Sequence, residues 1–363
     1  MRVVSDLLSD STVNGGTSHC SAALPCGAMR LNPVLTDLGP NPMAALHERA
    51  RALAAEGPIL DFSVGDPDEP TPPAARQALL DAVGASSSYP ISAGTRETRE
   101  AVAGYVARRF GREVDPDRQV VITAGSKEAV FHLPMTIAEA GSPEVVLHPT
   151  PGYSVYGRGA VLAGLRARPY VMGGDFVATP GLLESTGWDD VGLAWISSPH
   201  NPSGTIIDRA DLQTIHDRAR EVGAWLASDE VYSDLHEPDL EPPASVLEVA
   251  DDDLTGVVAL FSGSKRDGMT GYRIGAMVGD HRIIEATRVL KQVSGTVPPD
   301  FVQAAAASAW STDDHVEERN RLFSAKRAAL AAAFSSVGLD VVGSRAGLYL
   351  WVRVADDLAL AER

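Results

Sequence analysis

The sequence predicts an α/β fold: a mostly parallel sheet flanked by helices, followed by a smaller α+β domain. Three observations carry this reading. From residue 120 onward, short continuous apolar runs alternate with segments of helical period, and runs apolar at every position mark strands covered on both faces. Polar residues of chemical interest come directly after those runs, at the carboxyl ends where such sheets collect their sites. A chain of 363 residues is also long enough for a large domain with a companion.

Residues 1–28 form a Ser/Gly/Thr-rich head without the apolar stretch of a secretory signal, and are expected to be a disordered extension. The change to patterned sequence makes Met29 an alternative start to Met1. Residues 29–60 read as an N-terminal arm and small-domain segment, with a helix over 44–53 closed near Gly57-Pro58. Residues 61–300 read as the large domain. It opens on Ser63-Val64-Gly65-Asp66-Pro67-Asp68-Glu69-Pro70-Thr71-Pro72, too proline-rich for a regular element. Helices are expected over 74–83 and 98–110, separated by the loop Tyr89-Pro90-Ile91-Ser92-Ala93-Gly94. Apolar runs then predict strands at 120–123, 145–147, 193–197, 225–228, 257–261 and 274–278, with helices opening at Gly125, spanning 153–165 and 210–222, and following at 282–293. Residues 301–363 read as a small C-terminal domain: helices over 301–310 and 315–334, strands at 341–342 and 349–352, and then an unfinished layer. The expectation is a C-terminally truncated domain.

Composition excludes several function classes. No stretch approaches the roughly 20 apolar residues of a membrane span. A net charge of −17, from 31 Lys+Arg against 48 Asp+Glu, opposes binding to nucleic acid or anionic membrane. Cys20 and Cys26 have neither a second cysteine pair nor a nearby His-x-x-x-His, so neither a disulfide framework nor a metal site is expected. A cytoplasmic protein is expected.

The chemistry-bearing residues are ordinary one at a time. Asn201-Pro202-Ser203-Gly204 is a turn sequence, Asp229-Glu230-Val231-Tyr232 follows a strand and could cap a helix, and Ser262-Gly263-Ser264-Lys265 could be a surface turn. Together they offer an amine, a carboxylate, a phenol and an amide around one flat cofactor. A buried lysine amine can bond an aldehyde and carry a proton. A buried carboxylate such as Asp229 can keep a pyridine nitrogen protonated. Asn201 and Tyr232 can donate to a ring oxygen, and Tyr153, after Pro151-Gly152, can stack on the ring face. For a phosphate, the helix opening at Gly125-Ser126-Lys127 offers free N–H groups, with Ser262, Ser264 and Arg273 to complete a cradle. The cofactor so described is pyridoxal 5′-phosphate.

From about Leu31 to Trp351 the chain resembles the fold-type I, class I/II pyridoxal-phosphate-dependent aminotransferases, through the joint presence of Asn-Pro-Ser-Gly, Asp-Glu-Val-Tyr and Ser-Gly-Ser-Lys with the trailing Arg273. The resemblance implies a seven-stranded, mostly parallel sheet, and Lys265 as the lysine joined to the cofactor. It implies Asp229 on the pyridine nitrogen, Asn201 and Tyr232 on the ring oxygen, Tyr153 on the ring face, and Ser126, Ser262 and Arg273 on the phosphate. Tyr89 resembles the residue that reaches the phosphate from the partner subunit, which implies a homodimer. Gly65 resembles the loop that closes over the substrate carboxylate. The run from Ser264 to Arg273, with Phe301-Val302-Gln303-Ala304-Ala305 and His315-Val316-Glu317-Glu318, looks most like N-succinyldiaminopimelate aminotransferases. The implied reaction moves an amino group from an amino acid, glutamate as donor, to a 2-oxo acid, N-succinyl-2-amino-6-oxopimelate. An aminotransferase of the LL-diaminopimelate, aspartate or alanine type, a carbon–sulfur lyase, a cofactor-sensing regulator and a non-catalytic protein on the same fold are the alternatives. The family's arginine for the substrate carboxylate lies beyond the Tyr-Leu-Trp strand, and the sequence stops before reaching such a position.

Overall fold

The structure, a computed structural model, describes residues 31–37, 42–59, 65–85, 88–139, 144–355 and 357, with the backbone alone for 42–46. The head, both cysteines and Met29 lie outside the described residues. The chain divides into two units, one of residues 1–65 with 355–363, the other of residues 66–354. In the first, α1 (Pro33–Asp37) and α2 (Pro42–Glu56) are described. Asn32 opens α1, its Oδ1 accepting from Val34 N at 3.0 Å.

The second unit holds the sheet. Helices α3 (Pro73–Ala82) and α4 (Arg96–Phe110) precede β1 (Val120–Thr123) and α5 (Ser126–Ile137). There follow β2 (Val145–Thr150), α6 (Val155–Leu162), β3 (Arg166–Val171), α7 (Pro180–Thr186) and β4 (Val191–Ser197). Next are α8 (Arg209–Val222), β5 (Trp225–Asp229), α9 (Val246–Val249), β6 (Val257–Ser262), the single turn α10 (Gly263–Arg266) and β7 (Gly275–Gly279). Helices α11 (His281–Ser294), α12 (Asp300–Trp310) and α13 (Asp314–Ser336) lead to the hairpin of β8 (Asp340–Val342) and β9 (Trp351–Arg353). Helix α12 packs on α3 and α4.

The seven strands run in the order β1-β7-β6-β5-β4-β2-β3. All neighbours are parallel except β7, which is antiparallel to both β1 and β6. Strand residues alternate between two apolar layers. Ile122, Ile196, Ala259 and Phe261 pack on one face, and Val121, Trp195, Val258 and Leu260 on the other. That period of two, with both sides filled, is why these strands are apolar at every position. Each aliphatic side chain so removed from water contributes about 1.5–3 kcal/mol. The seventh strand, Arg166–Val171, is not among the apolar runs because it lies at the sheet edge. Arg166 and Val171 are exposed there and only Tyr170 is fully covered, its hydroxyl donating to Trp195 O at 2.9 Å.

Candidate active site

Strand register brings the motifs to one edge of the sheet. Ser197 and Asp229 are paired at the carboxyl ends of β4 and β5, and β6 ends alongside at Ser262, where α10 begins. Because β7 runs against its neighbours, its amino end lies at that same edge. Gly275 pairs with Thr123 on one side and with Ser262 on the other. Arg273 is thereby carried to the turn after β1 and to the turn after β6.

Lys265 sits in α10, whose first turn is capped by Ser262 Oγ accepting from Ser264 N at 3.2 Å. The half-buried amine is held below the usual lysine range: burial disfavours its charge, Arg273 adds to that, and Asp66 opposes it. The next side chain, Arg266, is the anchor of the turn. It donates to Asp234 at 3.0 Å and to Asp267 at 2.6 Å, reaches Asp313, and lies 4.7 Å over the Tyr105 ring. Neither Asp66 nor Arg266 is singled out by its motif.

Asp229 is buried. Its Oδ2 accepts from the Tyr156 hydroxyl at 2.6 Å, and its Oδ1, equally removed from water, meets no hydrogen-bond partner among the described residues. Burial pushes its pKa up, partly offset by Tyr156 and by the Val231 N–H. Tyr156 is fixed by stacking on Trp195, ring centroids 4.9 Å apart. Tyr153 meets Tyr156 edge to face at 5.7 Å, and Lys127 places Nζ 5.8 Å over the Tyr153 ring. The Asp229 charge raises the pKa of Tyr153 and Tyr232 further than burial alone, and Arg273 pulls that of Tyr153 down. These side chains share one region.

The helix end at Gly125-Ser126-Lys127 has no side-chain cap, which leaves N–H groups and a positive dipole end available to an anion. Gly125 holds φ +80°, and a Cβ there would lie 2.6 Å from Arg273 Nη2. Only glycine lets the guanidinium come so close. Arg273 itself donates from Nη1 to Thr270 O at 2.8 Å. The turn is secured behind by Glu128, which accepts from Ala124 N and, at 2.5 Å, from Nζ of the wholly buried Lys291.

Asn201 lies at the turn after β4, its N–H donating to Ser197 Oγ at 3.4 Å. Tyr232, 3% exposed, donates to the Tyr349 hydroxyl at 3.2 Å. Tyr89 is fully exposed. Gly65 belongs to the other unit. Tyr156 and Tyr349 are the partners that the motifs do not include. Tyr156 sits three residues after Tyr153 in Tyr-Ser-Val-Tyr, and its N–H donates to Tyr153 O at 3.1 Å in the turn that opens α6; that spacing is the one signal for it in the sequence. Among the described residues no group of three His, Cys, Asp or Glu is arranged to hold a metal ion.

A seven-stranded, mostly parallel sheet with one antiparallel strand, and this amine and acid at its carboxyl edge, is the architecture of the fold-type I pyridoxal-phosphate-dependent enzymes. The aspartate aminotransferase of Thermus thermophilus with maleate superposes with a TM-score of 0.85 over 92% of this chain and 89% of its own, at 24% identity, a likeness of fold. The family model for aminotransferase class I and II matches residues 57–363, and the chain belongs to that family. It is a pyridoxal-phosphate-dependent aminotransferase. Among similar proteins, a probable aminotransferase of Mycobacterium tuberculosis is 37% identical over 83% of this chain and 70% of its own. An LL-diaminopimelate aminotransferase of Desulforudis audaxviator is 33% identical over 88% of this chain and 82% of its own. A 4-dedimethylamino-4-oxo-anhydrotetracycline transaminase of Streptomyces rimosus is 33% identical over 84% and 81%. Among the described residues no helix is long and apolar enough to cross a membrane.

Proposed function

We propose that the cluster around Lys265 and Asp229 is the transamination site, and that the acceptor is a 2-oxo acid of the diaminopimelate branch of lysine synthesis. The observation that carries the site is the buried Oδ1 of Asp229, an acceptor without a partner among the described residues while its twin is held by Tyr156. A buried acceptor of that kind is costly unless a ligand supplies the donor. A protonated ring nitrogen does so, and the residues fit pyridoxal phosphate.

When bound, pyridoxal phosphate supplies an aldehyde for a lysine amine and a ring that accepts the electron pair left on a substrate α-carbon. In this reading Asp229 Oδ1 keeps the ring nitrogen protonated, and the Asn201 amide and the Tyr232 hydroxyl donate to the ring oxygen. Tyr153 covers the ring face. The N–H groups at Gly125, Ser126 and Lys127, the hydroxyls of Ser126, Ser262 and Ser264, and the Arg273 guanidinium hold the phosphate. Lys265 Nζ, its charge disfavoured by burial and Arg273, moves the proton at the substrate α-carbon as base and then acid.

For the substrate, glutamate serves as amino donor and N-succinyl-2-amino-6-oxopimelate as acceptor. The similarity to an LL-diaminopimelate aminotransferase supports the same carbon skeleton without the succinyl group as the second reading. The protein acts in the cytoplasm as a homodimer, Tyr89 reaching the partner's phosphate site. Tyr89 and the neighbouring Ile91, 63% exposed, present an uncovered aromatic and aliphatic edge for it.

Borohydride reduction of the holoenzyme followed by peptide mapping tests the site, with the label expected at Lys265; a label on another lysine refutes it. Single-turnover absorbance with glutamate, LL-diaminopimelate and N-succinyl-LL-diaminopimelate tests the substrate. Rapid conversion by glutamate and N-succinyl-LL-diaminopimelate is expected; conversion by LL-diaminopimelate in its place favours the second reading, and conversion by neither diaminopimelate sets the acceptor class aside.

A further inference from the structure

The segment between β8 and β9 is joined to both turns that carry the proposed ring-oxygen donors. On the Asn201 side, Ser344 N donates to Ser203 O at 2.6 Å, and the N–H groups of Arg345 and Ala346 both donate to Gly204 O at 3.1 Å. A Cβ on Gly204, φ +68°, would lie 2.4 Å from Ala346 O, so this approach requires glycine. On the Tyr232 side, Gly347 N donates to Leu235 O at 2.6 Å and Glu237 N to Arg345 O at 3.0 Å. The buried Arg327 secures the seam from α13, donating from Nη1 to Gly347 O at 2.6 Å. Two residues further on, Tyr349 brings its hydroxyl to 3.2 Å from that of Tyr232, with ring centroids 5.9 Å apart and the planes at 71°.

A phenol has one hydrogen to give and lone pairs with which to accept. As the structure stands, Tyr232 gives its hydrogen to Tyr349. An anionic ring oxygen is a stronger acceptor than a neutral phenol. Presenting one turns the Tyr232 hydrogen toward it, and the Tyr232 oxygen is then free to accept from Tyr349. Hydrogen bonds in such a chain polarise one another.

We infer that Tyr349 is a positioning residue of the site: it donates to Tyr232, so that Tyr232 donates more strongly to the cofactor's ring oxygen, and the 344–347 seam sets the distance. The inference rests on the reading of Tyr232 proposed above. It assigns a role to a residue outside every motif of the sequence, on the hairpin that follows the last long helix.

Tyr349→Phe keeps the ring and the seam and removes one hydroxyl. In the holoenzyme, visible absorbance followed across pH reports the proton shared between the lysine-bound nitrogen and the ring oxygen. Weaker donation to that oxygen leaves more negative charge to hold the proton, so the midpoint is expected to rise by about 0.5 pH unit, the scale of one cooperative neighbour. In a Tyr232→Phe background, where the middle of the chain is missing, Tyr349→Phe is expected to add no further shift. An unchanged midpoint in the single variant, or a shift that persists in the Tyr232→Phe background, overturns the assignment. Borohydride labelling separates the two readings: label at Lys265 with an unchanged midpoint removes the role of Tyr349 alone, whereas label at another lysine removes the site as well.

Discussion

The Tyr156 hydroxyl holds one oxygen of Asp229 at 2.6 Å and leaves the other buried, with no hydrogen-bond partner among the described residues. One carboxylate is thus fixed in orientation by α6 and presented by β5. Tyr156→Phe takes away the bond that favours the charged acid, so the Asp229 pKa rises further and the apoprotein loses about 1–3 kcal/mol of stability. Cofactor affinity falls by about tenfold, the equivalent of about 1.4 kcal/mol. Urea denaturation of the apoprotein and a fluorescence titration with pyridoxal phosphate read the two effects; wild-type values for both would show that Tyr156 only fills space.

Lys265→Ala removes the amine whose pKa burial and Arg273 lower. Turnover is expected to drop by at least about 10³-fold, within the range of a lost general base and nucleophile. The proposed phosphate contacts do not involve this amine, so the variant is expected still to bind the cofactor without forming the reducible bond. Stopped-flow assays with glutamate and dialysis of the loaded variant check both halves. Wild-type turnover ends the assignment.

Gly125 and Gly223 share a positive φ but differ in what surrounds them. At Gly223, φ +76°, a Cβ meets nothing within 4 Å, whereas at Gly125 it meets Arg273. Each Gly→Ala change costs about 1–3 kcal/mol in backbone strain. Only Gly125→Ala also displaces the guanidinium, and only it is expected to weaken cofactor binding markedly. Equal affinities for the two variants would separate Arg273 from the phosphate.

Glu230, beside Asp229 in sequence, is wholly buried, and burial raises its pKa from 4.5 to about 7. A raised folded pKa means that the unfolded chain gives up its proton first. The stabilisation is therefore complete below pH 4.5, declines as pH rises, and is gone above about pH 7. Each pH unit between the unfolded and folded values corresponds to about 1.4 kcal/mol. Glu230→Gln should flatten that part of the pH dependence. Urea midpoints of both proteins at pH 5 to 8 measure the difference, and parallel profiles would contradict it.

Much of this is legible in residue order. The strand ending at Thr123 and the one ending at Ser262 announce themselves by apolar runs, and Gly125, Asn201, Asp229 and Lys265 follow runs because sheet enzymes place chemistry at strand ends. Arg166–Val171 is not legible, since an edge strand needs only one covered side chain. Tyr156, Tyr349 and Lys291 are also beyond reach. Each is an ordinary residue in its own segment, and its role comes from a partner 73, 117 or 163 positions away.

The sequence by itself determined the α/β class, most of the strands and the motifs from which the site is proposed, because periodicity and motif are local properties of the chain. Only the tertiary structure decided that β7 turns against its neighbours and so delivers Arg273 to Gly125, that Tyr156 occupies one oxygen of Asp229 and spares the other, and that the β8–β9 segment joins the turns of Asn201 and Tyr232. Those are distances between residues far apart in sequence, set by strand pairing and packing, and no short stretch of the chain encodes them.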